Sequence, residues 1–156
     1  MEKHAFASRL EFEQQLLLCF SRARLRLRCF DPDFALWGLG TPEVEAALRR
    51  FLLGQGKIEL VAHDNTHLER YCPRFLRLLK DFSHAIECRV TNRSLRQLTD
   101  SFCIADEVHI VRRFHCAHLR GEAAFDSPDA TSVSAERFAG IWTETEAGLH
   151  AGISGL

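Results

Sequence analysis

The apolar positions in the first half of the chain alternate between helical and strand periodicity. The predicted elements are, in order, a helix over 8–20, a strand ending at Phe30-Asp31, a helix from Thr41 to Gly54, a strand Ile58–Ala62, a helix from Pro73 and a strand Ala85–Val90. Strands that alternate with helices are typical of right-handed crossovers between parallel strands. The first half of the chain therefore predicts parallel strands in an α/β sheet.

The second half predicts further strands and a closing helix. Its predicted elements are strands at Phe102–Ala105 and Val108–Val111 about the acidic turn Asp106-Glu107, a strand at Leu119–Phe125, and a helix near Ser132–Ala147. Because a hairpin brings antiparallel strands to the sheet, the predicted fold class is α/β, with a mixed, mostly parallel β-sheet flanked by helices. With no repeat or linker visible, we expect one domain over 1–156, a core over about 8–147, and a frayed tail at 148–156.

Composition and charge place the chain among ordinary globular domains. It has 156 residues, of which 46% are hydrophobic and 26% charged, and 20 basic residues balance 21 acidic ones. A chain of this length buries enough surface to fold without a disulfide or a metal. A dedicated binder of nucleic acid or of anionic membranes would carry a large basic excess. We therefore expect no nucleic-acid partner and no membrane partner.

The N-terminal sequence and the cysteines bear on the cellular compartment. Residues 1–10 lack the apolar segment of a secretory signal, and the run Leu16–Phe20 is far too short for a membrane helix. The six cysteines contain no Cys-x-x-Cys spacing, and most lie in apolar stretches, which favours buried thiols over a disulfide framework. These features predict a cytoplasmic protein.

Charged residues alternate with apolar ones on the predicted central strands. Arg26 and Arg28 lie on one strand, and Glu59 and Glu87 lie on the next two strands along the chain. Opposite charges on neighbouring strands predict a ladder of cross-strand ion pairs. An anion-binding face of arginines is the alternative.

Two sequence segments in the second half of the chain resemble a known family. The phrases FCIADEVHIVRR and RFAGIWTET, together with the order of elements, resemble one repeat of the phospholipase D-like superfamily. The resemblance is closest to an uncharacterised bacterial branch, some of whose members are joined to acetyltransferase domains. Asp106 matches the aspartate between two family strands, and Phe138 and Trp142 match the pair in the closing helix. The resemblance covers roughly residues 10–147 and implies the superfamily's fold.

The resemblance also implies where catalytic residues would stand. The superfamily signature is His-x-Lys-x4-Asp, in which the histidine attacks phosphorus and the lysine neutralises the phosphoryl oxygens. With the aspartate placed on Asp106, Thr99 stands at the histidine position and Ser101 at the lysine position. Neither side chain supplies an imidazole or a fixed positive charge. We therefore predict no catalytic residues and no cofactor, in a domain with a binding or regulatory role.

The resemblance further implies partners. Catalytic members of the superfamily join two repeats around one site, whereas this chain carries a single repeat, so a homodimer is expected. The acetyltransferase domains found beside related sequences suggest an acetyltransferase as a possible partner.

Polar side chains follow two neighbouring predicted strands. Asp31 and Asp33 follow the first of them, and His63, Asp64 and His67 follow the second. Since ligands of α/β sheets gather beyond the carboxyl ends of parallel strands, these residues form the candidate ligand crevice. His63 and His67 are weak metal candidates, and the alternative function is a metal-assisted phosphoester hydrolase around His63 and Asp64. An Asx-type turn made by Asp64 and Asn65, with both histidines in solvent, is the simpler interpretation.

Two other polar groups are given structural interpretations. His115, Cys116 and His118 are too close in sequence for a zinc finger and are expected in a loop. Acidic residues lie near the four arginines in sequence, so these arginines are interpreted as solvated surface. They are Arg93, Arg96, Arg112 and Arg113.

Overall fold

A computed structural model describes residues 1–151 and gives the helices and strands of that part of the chain. The strands are β1 (Glu2–Phe6), β2 (Arg26–Phe30), β3 (Lys57–Ala62), β4 (Ile86–Thr91), β5 (Ser101–Ala105), β6 (His109–Arg113), β7 (Gly121–Phe125) and β8 (Thr145–Ala147). The helices are α1 (Arg9–Arg22), α2 (Pro42–Leu53), α3 (Thr66–Tyr71), α4 (Pro73–Asp81) and α5 (Pro128–Trp142), with a short 3-10 helix at Arg93–Leu95.

The long helices begin at side chains that accept hydrogen bonds from the first turn. Ser8 accepts from the backbone N–H of Glu11, and Thr41 accepts from that of Val44. Ser127 caps α5 in the same way. Capping hydroxyls satisfy N–H groups that the helix itself leaves without a partner. The helix start predicted at Thr41 is thus confirmed.

One sheet contains all eight strands, in the order β1-β7-β6-β5-β2-β3-β4-β8. The predicted α/β fold, with one mixed sheet flanked by helices, is confirmed. Within residues 1–151, however, only β2–β3 and β3–β4 pair in parallel, and the other five pairings are antiparallel. The expectation of mostly parallel pairing is corrected accordingly. The reason is that helical crossovers end at β4, after which β5, β6 and β7 are joined by short connections.

Helices cover both faces of the sheet and enclose two apolar clusters. The larger cluster lies between the sheet and helices α1, α2 and α4, and it includes Phe12, Trp37 and Phe75. The smaller cluster lies under α5 and includes Phe30 and Phe138. The carboxyl end of β2 therefore projects between two packed layers, which fixes the position of the side chains that follow it.

Four short elements were not predicted: β1, α3, the 3-10 helix at Arg93–Leu95 and β8. Four of the five residues of β1 are exposed, so this strand lacks the alternation that signals a half-buried strand. The closing helix ends at Trp142, and residues 145–147 pair with β4 instead of continuing the predicted helix.

The segment after β8 packs against the sheet at its first residues. Contrary to the expected fraying, Leu149 is only 5% exposed within the larger cluster. The N–H of Gly148 donates to the carbonyl of Cys88 over 3.0 Å. The rest of the expected frayed tail, residues 152–156, lies outside the described residues.

The cysteines are free thiols, and all but Cys116 are buried. The prediction of buried thiols is confirmed for those five. No helix in the described part of the chain combines the length and the apolar character that crossing a membrane requires.

Candidate functional site

A buried ion pair lies at the carboxyl end of β2. Asp31 follows β2 directly and Arg113 ends β6, and they are 1% and 4% exposed. Arg113 Nη2 donates to Asp31 Oδ1 over 2.8 Å. The other carboxylate oxygen accepts the backbone N–H groups of Asp33 and Phe34, over 3.0 and 2.7 Å. Both oxygens of Asp31 are therefore committed to contacts inside the protein.

Ser101 joins this ion pair at the position where the family resemblance places the lysine. It starts β5 directly opposite Arg113 in the antiparallel ladder and is 1% exposed. Its hydroxyl lies 3.2 Å from Arg113 Nη2 and accepts from Trp37 Nε1 over 3.4 Å. The lysine position is thus filled by a short hydroxyl within a closed network. We call Asp31, Arg113, Ser101 and Trp37 the buried polar network.

Arg113 also fixes the loop that follows it. Its Nη1 donates to the carbonyls of Cys116 and His118, over 2.7 and 3.4 Å. The N–H of Cys116 donates to the carbonyl of Thr99 over 2.8 Å, so the loop is tied to the residue at the family's histidine position. The guanidinium lies 4.9 Å from the centre of the Phe12 ring, and its buried Nε has no hydrogen-bond partner in residues 1–151.

The interpretation of Arg113 as solvated surface is therefore wrong. Alternation along β6 places Arg113 on the same side as Val111, which is fully buried. An arginine at an inward position was the signal available in the sequence, but its counter-ion Asp31 comes from a distant strand. Arg93, Arg96 and Arg112 are exposed, as interpreted.

Both ring nitrogens of His63 are engaged inside the protein. Its Nδ1 lies 2.6 Å from the hydroxyl of Thr91 and its Nε2 lies 2.8 Å from the carbonyl of Leu98. Since a carbonyl only accepts, Nε2 of the neutral ring carries the proton and Nδ1 accepts from Thr91. Phe30 meets the ring edge-on at 5.5 Å. In this arrangement no lone pair of His63 is free for a metal.

The remaining crevice candidates make local contacts. Asp64 Oδ1 accepts from both the hydroxyl and the N–H of Thr66, over 2.6 and 2.9 Å, and these hydrogen bonds lower the pKa of the Asp64 carboxyl. His67 packs against Tyr71 with ring centres 5.2 Å apart. The exposed Asp33 accepts from the N–H of Ala35. The turn at Asp64 agrees with the simpler interpretation. The expectation that both histidines lie in solvent is wrong, because His63 and His67 are half-buried and His63 is held by Thr91 and by the carbonyl of Leu98.

The crevice residues do not form a ready metal centre. Asp31 is buried in its ion pair, whereas Asp33 and Asp64 are exposed. In the described part of the chain, no group of three or more histidine, cysteine, aspartate or glutamate side chains could hold a metal ion. A ligand in this crevice stays a prediction.

The predicted charge ladder forms in part. Arg28 Nε donates to Glu59 Oε1 over 3.1 Å across β2 and β3, and both Arg28 and Arg26 contact Glu107 at the β5–β6 turn. Glu87, in contrast, pairs with Arg89 on its own strand. The ion pairs leave little free charge on Arg26 and Arg28 for an anion. Arg28 also lies 5.2 Å from the ring of Phe138, one of the residues that carry the family resemblance.

Asp106, the aspartate of the resemblance, has a structural role. Its carboxylate accepts the backbone N–H groups of Arg24, Leu25 and Arg26 over 2.9, 2.8 and 2.9 Å. These bonds tie the turn between β5 and β6 to the start of β2. Asp106 adopts a φ of 56°, a left-handed conformation that aspartate tolerates better than most residues.

The model of a family described as Domain of unknown function (DUF7931) matches residues 8–149. The chain belongs to this family. A comparison with curated protein sequences gives no significant match for the DUF7931 chain.

Solved structures show the fold of the DUF7931 chain. Nuc from Salmonella typhimurium, a phospholipase D family member, is similar with a TM-score of 0.66 and 14% identity, over 94% of this chain and 99% of Nuc. Phosphatidylserine synthase from Haemophilus influenzae Rd KW20 is similar with a TM-score of 0.63 and 13% identity, over 96% of this chain and 40% of the synthase. The chain therefore has a phospholipase D-like fold.

A third similar structure comes from a protein with a different role. TrmBL2, an archaeal chromatin protein whose structure shows a novel mode of DNA binding, is similar with a TM-score of 0.71 and 10% identity. The match covers 95% of this chain but only 54% of TrmBL2, so the DUF7931 chain spans about half of that protein. At these identities the similarities concern the fold, and the bacterial origin and the loss of catalysis stay predictions.

Proposed function

We propose that this DUF7931 chain is a non-catalytic phospholipase D-like domain that acts by binding or regulation. One observation carries the proposal: the buried polar network occupies the place where the resemblance puts the catalytic lysine.

The positive charge nearest to Ser101 is already neutralised. Arg113 Nη2 contacts the Asp31 carboxylate at 2.8 Å, and Nη1 is used by two carbonyls of the following loop. A phosphoryl group would have to replace Asp31 as the counter-ion, leaving a carboxylate buried without its partner. That exchange is costly, since an unpaired buried charge is strongly destabilising. Arg113 is thus a poor substitute for the lysine.

The nucleophile position holds an alcohol without an activating base in contact. Thr99 is exposed, and no contact in residues 1–151 joins its hydroxyl to a histidine or a carboxylate. A threonine hydroxyl needs an adjacent base to attack phosphorus at neutral pH. His63 does not supply one as it stands, because both of its ring nitrogens are engaged elsewhere.

Hydrolysis of bis-p-nitrophenyl phosphate tests the proposal. The purified chain is assayed with and without Zn²⁺, Mg²⁺ and Mn²⁺, alongside His63→Ala and the matched surface control His84→Ala. We expect the hydrolysis rate with each of the three proteins to equal the rate in metal-containing buffer without protein. Turnover that rises with protein concentration, is lost in His63→Ala and persists in His84→Ala would overturn the proposal in favour of the metal-assisted phosphoester hydrolase.

The proposal includes a homodimer as the working assembly. Its first support is the single repeat that the resemblance identifies in this chain. Its second support is the match to Nuc, which covers 99% of that protein, so Nuc also has the length of a single repeat. Light scattering of the eluting peak in size-exclusion chromatography should give twice the mass of 17.8 kDa. A mass that stays at one chain over a hundredfold range of concentration would refute the dimer.

A cytoplasmic location and an acetyltransferase partner complete the proposal. Six free thiols suit a reducing compartment, where disulfides are rare. Co-purification of the tagged chain at its natural expression level tests the partner. An acetyltransferase enriched over an untagged control would support it, and its absence from repeated purifications would count against it.

A further inference from the structure

The loop between β6 and β7 presents an exposed aromatic ring beside an apolar hollow. We call residues 114–120 the tip. Phe114 is 58% exposed, and the guanidinium of Arg112 lies 5.7 Å from its ring centre. A hollow of about 360 Å³ adjoins the ring and is lined by Phe114, His118, Leu119 and Arg120. A large exposed aromatic residue next to an apolar hollow is typical of a binding surface.

The tip is held in place by contacts with the rest of the domain. Arg113 Nη1 donates to the carbonyls of Cys116 and His118, and the N–H of Cys116 donates to the carbonyl of Thr99. Phe114 N–H donates to the Arg120 carbonyl and closes the base of the hairpin. A ring presented from a fixed loop loses little conformational freedom when it is buried by a partner. The tip is therefore suited to contribute Phe114 as an anchor.

Charges of both signs border the tip. Arg112 and Arg120 are exposed and form no ion pair within residues 1–151, although Arg112 stands opposite Glu122 in the strand ladder. Asp33 is exposed and also forms no salt bridge within that range. The loop at Asp33 adjoins the tip through the buried ion pair. The N–H of Asp33 donates to Asp31 over 3.0 Å, and Arg113, which donates to Asp31 over 2.8 Å, also donates to the carbonyl of Cys116 over 2.7 Å.

We propose that the tip and the neighbouring loop at Asp33 form the interface between two copies of this chain. Phe114 of each copy enters the hollow of the other, and Arg112 and Arg120 face Asp33 across the two-fold axis. This inference rests on the homodimer of the proposed function. A patch that carries both signs is complementary to itself under two-fold symmetry, whereas a purely acidic or purely basic partner would meet repulsion on one side.

The first test removes the anchor. Phe114→Ser is compared with Val133→Ser, a control on α5 whose side chain is 75% exposed and lies outside the tip. We expect Phe114→Ser to raise the dimer dissociation constant at least about tenfold, because buried aromatic anchors dominate interfaces. The control should leave it unchanged. Thermal unfolding of both variants verifies that they fold.

The second test exchanges charges between copies. Arg112→Glu combined with Arg120→Glu should give a monomer, and so should Asp33→Arg. An equimolar mixture of the two variants should recover dimers, because in the mixed dimer opposite charges face each other on both sides of the axis, whereas in either variant alone like charges face each other. Failure of the mixture to associate while both variants stay folded would contradict the charge pairing.

The outcomes separate this inference from the proposed function. A wild-type dimer that persists in Phe114→Ser and in both charge variants would overturn the interface and leave the homodimer standing. A wild-type monomer at every concentration would overturn both. A monomer that binds poly-glutamate through Arg112 and Arg120 would assign the tip to an acidic partner and refute the self-association.

Discussion

Replacing Asp31 by asparagine would leave Arg113 charged and buried without its counter-ion. The two residues are 1% and 4% exposed, and they are joined by a hydrogen bond of 2.8 Å. The amide oxygen of asparagine can still accept from Phe34 or from Arg113, but it carries no charge. The substitution therefore tests whether the ion pair, rather than the shape of the side chain, holds the carboxyl end of β2.

The expected loss of stability follows from the burial of the pair. Removing one partner of a buried ion pair costs about 3–5 kcal/mol, and we expect the lower end, about 3 kcal/mol, because asparagine keeps one acceptor. For a chain of this size that loss lowers the melting temperature by about 6–12 °C. Asp100→Asn is the matched control, since Asp100 pairs with Arg137 at the surface. It should cost less than about 1 kcal/mol.

Urea unfolding followed by tryptophan fluorescence measures both variants. Trp37 is 1% exposed and contacts Ser101, so its emission reports on the buried polar network directly. A difference of less than about 1 kcal/mol in the free energy of unfolding between Asp31→Asn and wild type would refute the reasoning, because a buried guanidinium without a counter-ion destabilises the fold by more than that. In a double-mutant cycle with Arg113→Met, the second substitution should recover part of the loss.

Three further predictions concern other parts of the chain. Asp106→Ala should lower the free energy of unfolding by about 2–3 kcal/mol, because three backbone N–H groups lose a charged acceptor. In urea unfolding, Asp106→Asn should show a smaller loss, and equal losses for the two variants would contradict this role of Asp106. Burial raises the pKa of the Cys88 thiol from 9.0 to about 12. Above pH 9.0 the unfolded chain therefore releases a proton that the folded chain keeps, and the free energy of unfolding should fall as the pH rises. Cys88→Ala should flatten that fall in urea midpoints, and an unchanged slope would count against it. Leu149→Ala should lower the free energy of unfolding by about 2–5 kcal/mol, because the Leu149 side chain is buried in the core. A loss below about 0.5 kcal/mol would contradict this packing.

The sequence predicted the elements whose signals are local. Thr41 followed by proline marks a helix start in any context, and the apolar runs of β3 and β5 are strand-like wherever they lie. The cross-strand pair of Arg28 and Glu59 was also predictable, because both lie on strands that follow each other along the chain. These features were predictable because they depend on residues close together in sequence or on strands that follow each other along the chain.

The buried polar network depends on contacts that the sequence does not reveal. Arg113 and Asp31 are 82 positions apart, and only the order of strands brings the ends of β2 and β6 together. His63 was predicted as a ligand because its neighbours are polar, yet its ring is held by Thr91 and by the carbonyl of Leu98, both later in the chain. A buried charge or imidazole is identified by its partner, and the partner is set by tertiary structure.

Isothermal titration with inorganic phosphate tests the central claim most directly. Phosphate is the probe because a phosphoryl group is what the missing lysine would bind. If Arg113 is fully neutralised by Asp31, the wild-type chain should give no saturable heat beyond that of dilution. Saturable phosphate binding that Arg113→Met abolishes, and that Arg120→Gln leaves intact, would contradict the claim that this site has lost its capacity to handle phosphate.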